Sequence, residues 1–560
     1  MASLTSNAGG PPAVPAPGRR ATDWGTLAHW LPLLAVFAVE FLLFDQVGAK
    51  RHTWIYPRWN DQIQYLTECY TGYEYLRAHG FWPGLWQTLV NPSAQGTLHD
   101  FFALLVFSVV GPSRSAALSL NLFALIAWQA MLYLAIWRTT GARALAWAVA
   151  LLPIALRWPW NNWAGSMVDF RLDHLGMCAL GLTLAAALLT DGFRVTRWSA
   201  LFGFSVGLTL LARFITGPYF VLIFASLLVW CLCRPDGGRC TGNLLLAALV
   251  AALLAGPIFW LNREWVWNYY WIGHFTGPES AIRNPHMGLG AALAFVWRHL
   301  AESHLGDFFW WLSGAGAAVL ALGTWLGRRA EARPLAVVTW WVPGTIFLLA
   351  PAAVLTLHQQ KSEIVVGALV PGAVALVAAA WVELHRRCTA VWPTRALATV
   401  MVVAAGWFFS VRQLAPAYNA AFAADARKVN LLADYLFATA RAAGLANPRI
   451  GVDQVTDCLD GQIMRVICYE RKKTWMPFIM TLPTGIWKEK EPLLFERLAQ
   501  SDFVFLTEDG PEGVWPYDAQ MHALLPLTSA WCESHLRRVE RFTIFGKHMA
   551  LYQRREIPFP

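Results

Sequence analysis

Charge is scarce in this chain. Only 14% of its 560 residues are Asp, Glu, Lys or Arg, against roughly 25% in soluble proteins. Cysteine supplies no metal framework: none of the nine cysteines forms a CxxC pair. The nearest grouping, Cys231-Leu232-Cys233 with Cys240 beyond, ends an apolar run without a nearby histidine, which suits packing better than a metal. There is no glycine-rich phosphate-binding loop. No internal repeat and no cleavable leader are evident. What the chain has instead is apolar bulk. It is 56% hydrophobic, has a mean hydropathy of +0.41 and carries 31 tryptophans, a residue that gathers where spans meet water. The class is therefore a polytopic membrane protein. The net charge of +9 does not point to nucleic acid, because many arginines sit in short loops between apolar runs.

Residues 1–27 are rich in Ala, Gly and Pro and read as a disordered cytoplasmic N-terminus. The first apolar run, Leu31 to Val47, reads as a signal anchor, although it contains Glu40 and Asp45. Residues 48–114 form a long polar and aromatic loop ending in an apolar stretch near 100–110 that is too short to span and suits an interfacial helix. Further spans are expected at 115–137, 144–157, 174–190, 199–213, 217–233, 243–262, 306–326, 335–357, 363–383 and 396–412, about eleven in all with the first. With the N-terminus cytoplasmic, every inner loop holds at least two arginines, from Arg138/Arg143 to Arg386/Arg387/Arg395. The outer loops keep single cations: Arg171, Arg213 and Lys361. Residues 28–412 form the transmembrane domain in this reading. Residues 413–560 form a small C-terminal α/β periplasmic domain, with a helix over Asn430–Gly444, short strands at Arg449–Val452 and Asp502–Leu506, and a strand pair turning at Gly546-Lys547. Cys458 and Cys468 could pair there. The location is a bacterial inner membrane, crossed many times.

The outer loops hold the polar residues that could do chemistry. Asp61, within Trp59-Asn60-Asp61-Gln62, is either a helix N-cap or a catalytic base. Arg171, Arg213 and Lys361 either snorkel to headgroups or converge on a phosphate, for which Arg offers a planar fork and Lys a point charge. Asp169, Asp173 and His174 are the densest polar group. They could ligate a divalent cation, Mg or Mn, or the carboxylates could pair with the intervening Arg171. Glu68, Tyr65, Trp163, Tyr270 and His274 could line a substrate groove, while aromatics of this kind also anchor at membrane interfaces.

Four features together resemble the GT-C superfamily of integral-membrane glycosyltransferases, which includes aminoarabinose transferases and protein O-mannosyltransferases. An acidic residue, Asp61, follows the first span. A second loop carries Asp173-His174-Leu175 at a span start. Leu211-Ala212-Arg213-Phe214-Ile215-Thr216-Gly217-Pro218 is similar to a Leu-Thr-Lys-Gly-Pro stretch, with Thr216 where the lysine would stand. Lys361 to Gly372 is similar to Lys-x-x-x-Tyr-x-Leu-Pro-x-x-Pro, without the tyrosine and the first proline. Asn60-Asp61-Gln62 stands where many members have an Asp-Glu pair.

The resemblance covers residues 28–412. It implies a polyprenyl-phosphate-linked sugar donor, a lipid, glycan or protein acceptor, and a site among membrane lipids. It also implies inverting single displacement, with Asp61 as base and Arg213, Lys361 and Arg171 on the leaving phosphate. Two rivals stand beside it. A lipid-linked glycan flippase would use ionisable groups within spans, of which Glu40 is the clearest. A non-catalytic envelope-assembly subunit would use the outer loops for docking.

Overall fold

The computed structural model describes residues 31–44, 60–161, 164–276, 287–326, 338–359, 361–388, 390–411, 420–452, 461–473, 475, 478–480, 491–509, 519–544 and 546–557. The apolar runs become helices, as they must where no water is available to bond the backbone. α1 (Leu31–Leu43) is followed by α2 (Asn60–His79), α3 (Phe81–Val90) and α4 (Leu98–Val110). The bundle continues with α5 (Arg114–Thr140), α6 (Arg143–Leu151), α7 (Leu172–Leu189), α8 (Thr196–Ala212), α9 (Thr216–Leu232) and α10 (Gly237–Val266). Then come α11 (Leu289–Arg298), α12 (Gly306–Leu326), α13 (Val338–Leu357), α14 (Val370–Arg386) and α15 (Trp392–Val411). Among the described residues, six helical stretches are long and apolar enough to cross a membrane: Arg114–Thr140, Leu172–Leu189, Gly237–Thr276, Leu289–Leu326, Thr339–Leu357 and Ile364–Arg386. α4 has 13 residues, roughly 20 Å at 1.5 Å each, and is short of a hydrocarbon core about 30 Å thick.

Local chemistry sets the ends of these helices. Ser113 caps α5 by accepting from the Ala116 N–H, and Gly141 closes it at φ +71°, a conformation that a Cβ would strain. Small residues let the helices approach. A Cβ on Gly181 of α7 would lie 2.3 Å from the Trp128 indole of α5. One on Gly203 of α8 would lie 2.2 Å from the Ala247 carbonyl of α10. That is how helices gain contact where lipid supplies no hydrophobic drive. Val221, Leu253, Trp260 and Trp325 face outward, as lipid-facing side chains do. Glu40 of α1 is buried, and its carboxylate accepts a 2.8 Å hydrogen bond from Gln129 Nε2 of α5.

One expectation needs correction. The stretch after residue 262 reads from sequence as a long loop carrying Tyr269, Tyr270 and His274. Instead, α10 runs on as a π-helical segment over Trp267–Thr276, so these side chains stand on an extension of a span. Aromatic residues there dilute the apolar period without breaking it.

The tail contributes α16 (Ala420–Ala442), β1 (Ile450–Val452), α17 (Gly461–Lys472), β2 (Phe478–Met480), α18 (Glu491–Gln500), β3 (Phe503–Thr507), α19 (Ala519–His535), β4 (Leu536–Ile544) and β5 (Lys547–Arg554). They build a five-stranded sheet in the order β2-β1-β3-β5-β4. β1 is parallel to β2 and β3, with Gly451 opposite Ile479 and Val504, while β5 runs antiparallel to β3 and β4. The small α/β unit expected at this end is therefore present. The expected boundary at 412/413 and Cys458 fall outside the described residues, and Cys468 is buried on α17.

α17 docks on α2. Tyr70 donates to Glu470, whose Oε1 also accepts from the Arg114 backbone N–H at 3.1 Å. Tyr469 donates to Glu74, its ring lies 4.9 Å from that of Tyr70, and Lys473 Nζ reaches the Pro112 carbonyl at 3.0 Å.

Candidate active site

Asp61 lies in the first turn of α2, where the helix dipole favours an anion. Its side chain is 60% exposed, yet its Oδ2 is 3.5 Å from Nη1 of Arg171, which is almost wholly buried. The next residue, Gln62, turns inward. Its Oε1 accepts from the Phe170 backbone N–H at 2.9 Å and from Arg114 Nη2 at 3.3 Å, tying α2 to the second loop.

That loop is held from below by Asn121 of α5, whose Nδ2 donates to the carbonyls of Ser166, Met167 and Asp169. Gly165, at φ +67°, lets the loop turn back so that its N–H donates to Asp169 Oδ2 at 2.6 Å. The same oxygen lies 2.9 Å from Arg171 Nε. Burial pushes the Asp169 carboxyl up to about 6, against the pull of Arg171 and the Gly165 N–H. Arg171 is thus clamped between a buried carboxylate and the open one at Asp61.

A second pair adjoins the first. Arg213 sits where α8 ends, and its Nη2 donates to Asp173 Oδ1 of α7 at 3.0 Å. Its Nη1 donates at 2.5 Å to Gln95 Oε1, which also accepts from the Tyr65 hydroxyl. Gln95 Nε2 donates to the Tyr269 hydroxyl at 3.0 Å. The turn carrying Gln95 is fixed to the end of α8 by two backbone bonds, Thr97 N–H to Leu211 O at 2.9 Å and Phe214 N–H to Gln95 O at 2.7 Å. Tyr65, Tyr269 and Tyr270 lie within the field of Arg213, as does Tyr219. Arg213 Nε and the hydroxyls of Tyr219 and Tyr270 are buried without a hydrogen-bond partner. Buried donors in this state are costly, by about 1–3 kcal/mol each.

From Tyr269 the network runs to His274, with ring centroids 4.8 Å apart, and on to His358, with Nδ1 of His274 3.4 Å from Nε2 of His358. Lys361 follows, but not as expected. Its Nζ donates to the carbonyls of Leu355 at 2.9 Å, Thr356 at 2.8 Å and His358 at 2.5 Å. The ammonium caps the C-terminus of α13 with three donors. Burial lowers its pKa from the usual lysine range. The segment it begins still packs on the site: a Cβ on Gly165 would lie 2.5 Å from Ile364 Cγ2 and 3.6 Å from Asp173 Cβ.

The expected metal ligands do not converge. Asp169 turns to Arg171, Asp173 turns to Arg213, and His174 Nε2 lies 3.5 Å from Cys178 Sγ. Each carboxylate is matched by a guanidinium, so these three residues do not fit a cation. Glu68 accepts from Gln64 Nε2 at 2.9 Å. Its carboxyl is pushed up to about 7 by burial and then by the charge of Asp100. Trp163 and Trp59 lie outside the described residues. Gln62, Gln95 and Asn121, which hold the site together, were not legible beforehand, because an amide in a turn or on a span face carries no spacing signal.

The bundle, its helical first loop and the α/β tail define a class, a polytopic membrane protein with a small α/β unit at its C-terminal end. In comparisons with solved structures, ArnT from Cupriavidus metallidurans bound to undecaprenyl phosphate aligns at 15% identity and TM-score 0.53, over 96% of this chain and 100% of that one. The same protein in the apo state aligns at 15% identity and TM-score 0.51, over 94% and 98%. At that identity the likeness is one of fold. No protein-family model and no curated protein sequence matches the chain.

Proposed function

We propose that this chain is a membrane glycosyltransferase that moves a sugar from a polyprenyl-phosphate donor to an acceptor hydroxyl on the outer face of a bacterial inner membrane. The observation that carries the reading is the open Asp61 carboxylate held 3.5 Å from a buried arginine, beside a second arginine with an unmet buried donor. A solved structure of the same fold holds undecaprenyl phosphate, which supports a lipid phosphate as the donor's leaving group.

In this reading Asp61 accepts the proton of the acceptor hydroxyl as its oxygen bonds to the anomeric carbon. The bond from that carbon to the phosphate oxygen breaks, and its electron pair leaves with the lipid phosphate. Arg213 Nε, with Tyr219 and Tyr270 as further donors, meets the charge that develops there. Arg171 orients Asp61 rather than gripping phosphate, because Asp169 already occupies its other side. Lys361 reaches a phosphate only by leaving the end of α13.

The test is Asp61→Asn in the full-length chain, assayed with radiolabelled polyprenyl-phosphate sugars. Transfer is expected to fall at least ~100-fold, in line with the loss of a general base, with an unchanged gel-filtration profile. A variant that transfers at the parental rate overturns the assignment.

A further inference from the structure

We propose that Cys69, His99 and Asp100 form a zinc site joining α2 to α4, separate from the groups assigned above and independent of the sugar-transfer reading. Among the described residues these three are the only group of His, Cys, Asp or Glu whose ligand atoms, one from each, all lie within 4.8 Å of one another. One separation, from His99, matches a bound ion, and a second, from Cys69, is a few tenths of an ångström shorter. Cys69 Sγ is 3.1 Å from Asp100 Oδ1, and His99 Nδ1 is 3.7 Å from the same oxygen. Ligand atoms around tetrahedral zinc stand roughly 3.3–3.8 Å apart, given bonds of about 2.0–2.3 Å.

His99 is the stronger half of the argument. It is fully buried, and neither ring nitrogen has a hydrogen-bond partner. Its ring is packed against Phe170 at 3.9 Å and edge-on to Tyr65 at 5.8 Å, so aromatic neighbours fix its orientation without satisfying its nitrogens. A metal ion would satisfy one of them. Asp100 is the partly open member, with 16% of its side chain exposed, and provides the way in.

The charges also close. Binding displaces the Cys69 thiol proton to solvent, and His99 gives a neutral lone pair. One thiolate and one carboxylate then cancel the dication, so the buried assembly carries no net charge. The sulfur ligand selects against Mg and Mn, which prefer oxygen, and with imidazole and carboxylate it suits zinc. Water completes the fourth position, which leaves the assembly neutral. The ion would act as a strut, pinning the helix that carries Asp61 and Tyr65.

The experiment uses the full-length chain in detergent, stripped with chelator and reloaded with ZnCl2 or CoCl2. Expected are one zinc per chain by elemental analysis, a raised unfolding midpoint, and a thiolate-to-cobalt charge-transfer band in the cobalt form. Cys69→Ser should abolish the band and weaken zinc binding at least ~100-fold, and His99→Gln should weaken it similarly. Cys69→His, which restores a ligand atom, should bind zinc without the band and guards against a folding artefact. A parental chain that takes up no zinc, or a Cys69→Ser/His99→Gln double variant that binds it unchanged, overturns the proposal.

Discussion

Removing Arg171 while leaving Asp169 in place is the most informative perturbation of the site. Burial and its opposing partners leave the Asp169 carboxyl at about 6 instead of its usual 3.8. A folded-state value above the unfolded one means that the group's contribution to stability is complete below about pH 4 and is lost as pH rises through about 6. The ionised carboxylate above that point costs about 3 kcal/mol, a figure held down by Arg171 and the Gly165 N–H. Arg171→Met removes the attraction and keeps the burial. Titration of Asp169 then moves still higher, and the variant's deficit should be small near pH 5 and grow to roughly 3–5 kcal/mol by pH 8, the size of a broken buried pair. Asp169→Asn keeps an oxygen for Gly165, and Arg171 keeps Asp61. The double variant Asp169→Asn/Arg171→Met removes both buried charges and should recover most of the loss at pH 8. Tryptophan fluorescence of the detergent-solubilised chain during heating, from pH 5 to pH 8, reads all four proteins. A deficit for Arg171→Met that does not change with pH, or losses that simply add in the double variant, would refute the reasoning.

Three further outcomes follow from the same geometry. Lys361→Met should lower the unfolding midpoint and leave the KM for the donor within about twofold, because capping α13 is its role; a KM raised tenfold or more would restore it to the phosphate site. Tyr469→Phe and Glu470→Gln should each reduce kcat several-fold by loosening α17 from α2, with no change in KM for the donor; wild-type kcat in both would show that the tail does not steady Asp61. Glu40→Gln keeps the bond to Gln129 without the charge and should leave transfer within about twofold, whereas loss of transfer would return weight to a transport role for that span.

The sequence made much of the bundle legible because the spans after residue 114 announce themselves as apolar runs, several of them short, and their described residues are largely helical in the structure. It also flagged the acid and two arginines now found at one end of the bundle. Pairing was less accessible. Arg171 was open to either a phosphate or its neighbouring carboxylates; the turn at Gly165 brings Asp169 back onto it, and no periodicity encodes a turn that folds a chain onto its own neighbour two residues away. Lys361 is ambiguous for a related reason. A cation just past a span end serves equally as a ligand to an anion or as a C-cap, and only the position of the last carbonyls decides between them. Of the tyrosines near Arg213, Tyr65 and Tyr270 were flagged as groove candidates, whereas Tyr219 and the bond from Gln95 to Tyr269 carry no spacing signal.

The bond between Tyr70 and Glu470 joins residues 400 positions apart. Synthesis at roughly 5–20 residues per second puts their emergence about 20–80 s apart. For that interval the helix bearing Asp61 exists without the surface that later braces it. Maturation therefore ends with the arrival of the last hundred residues, and a ribosome stalled before them would leave an inserted bundle whose first loop waits, unbraced, for its clasp.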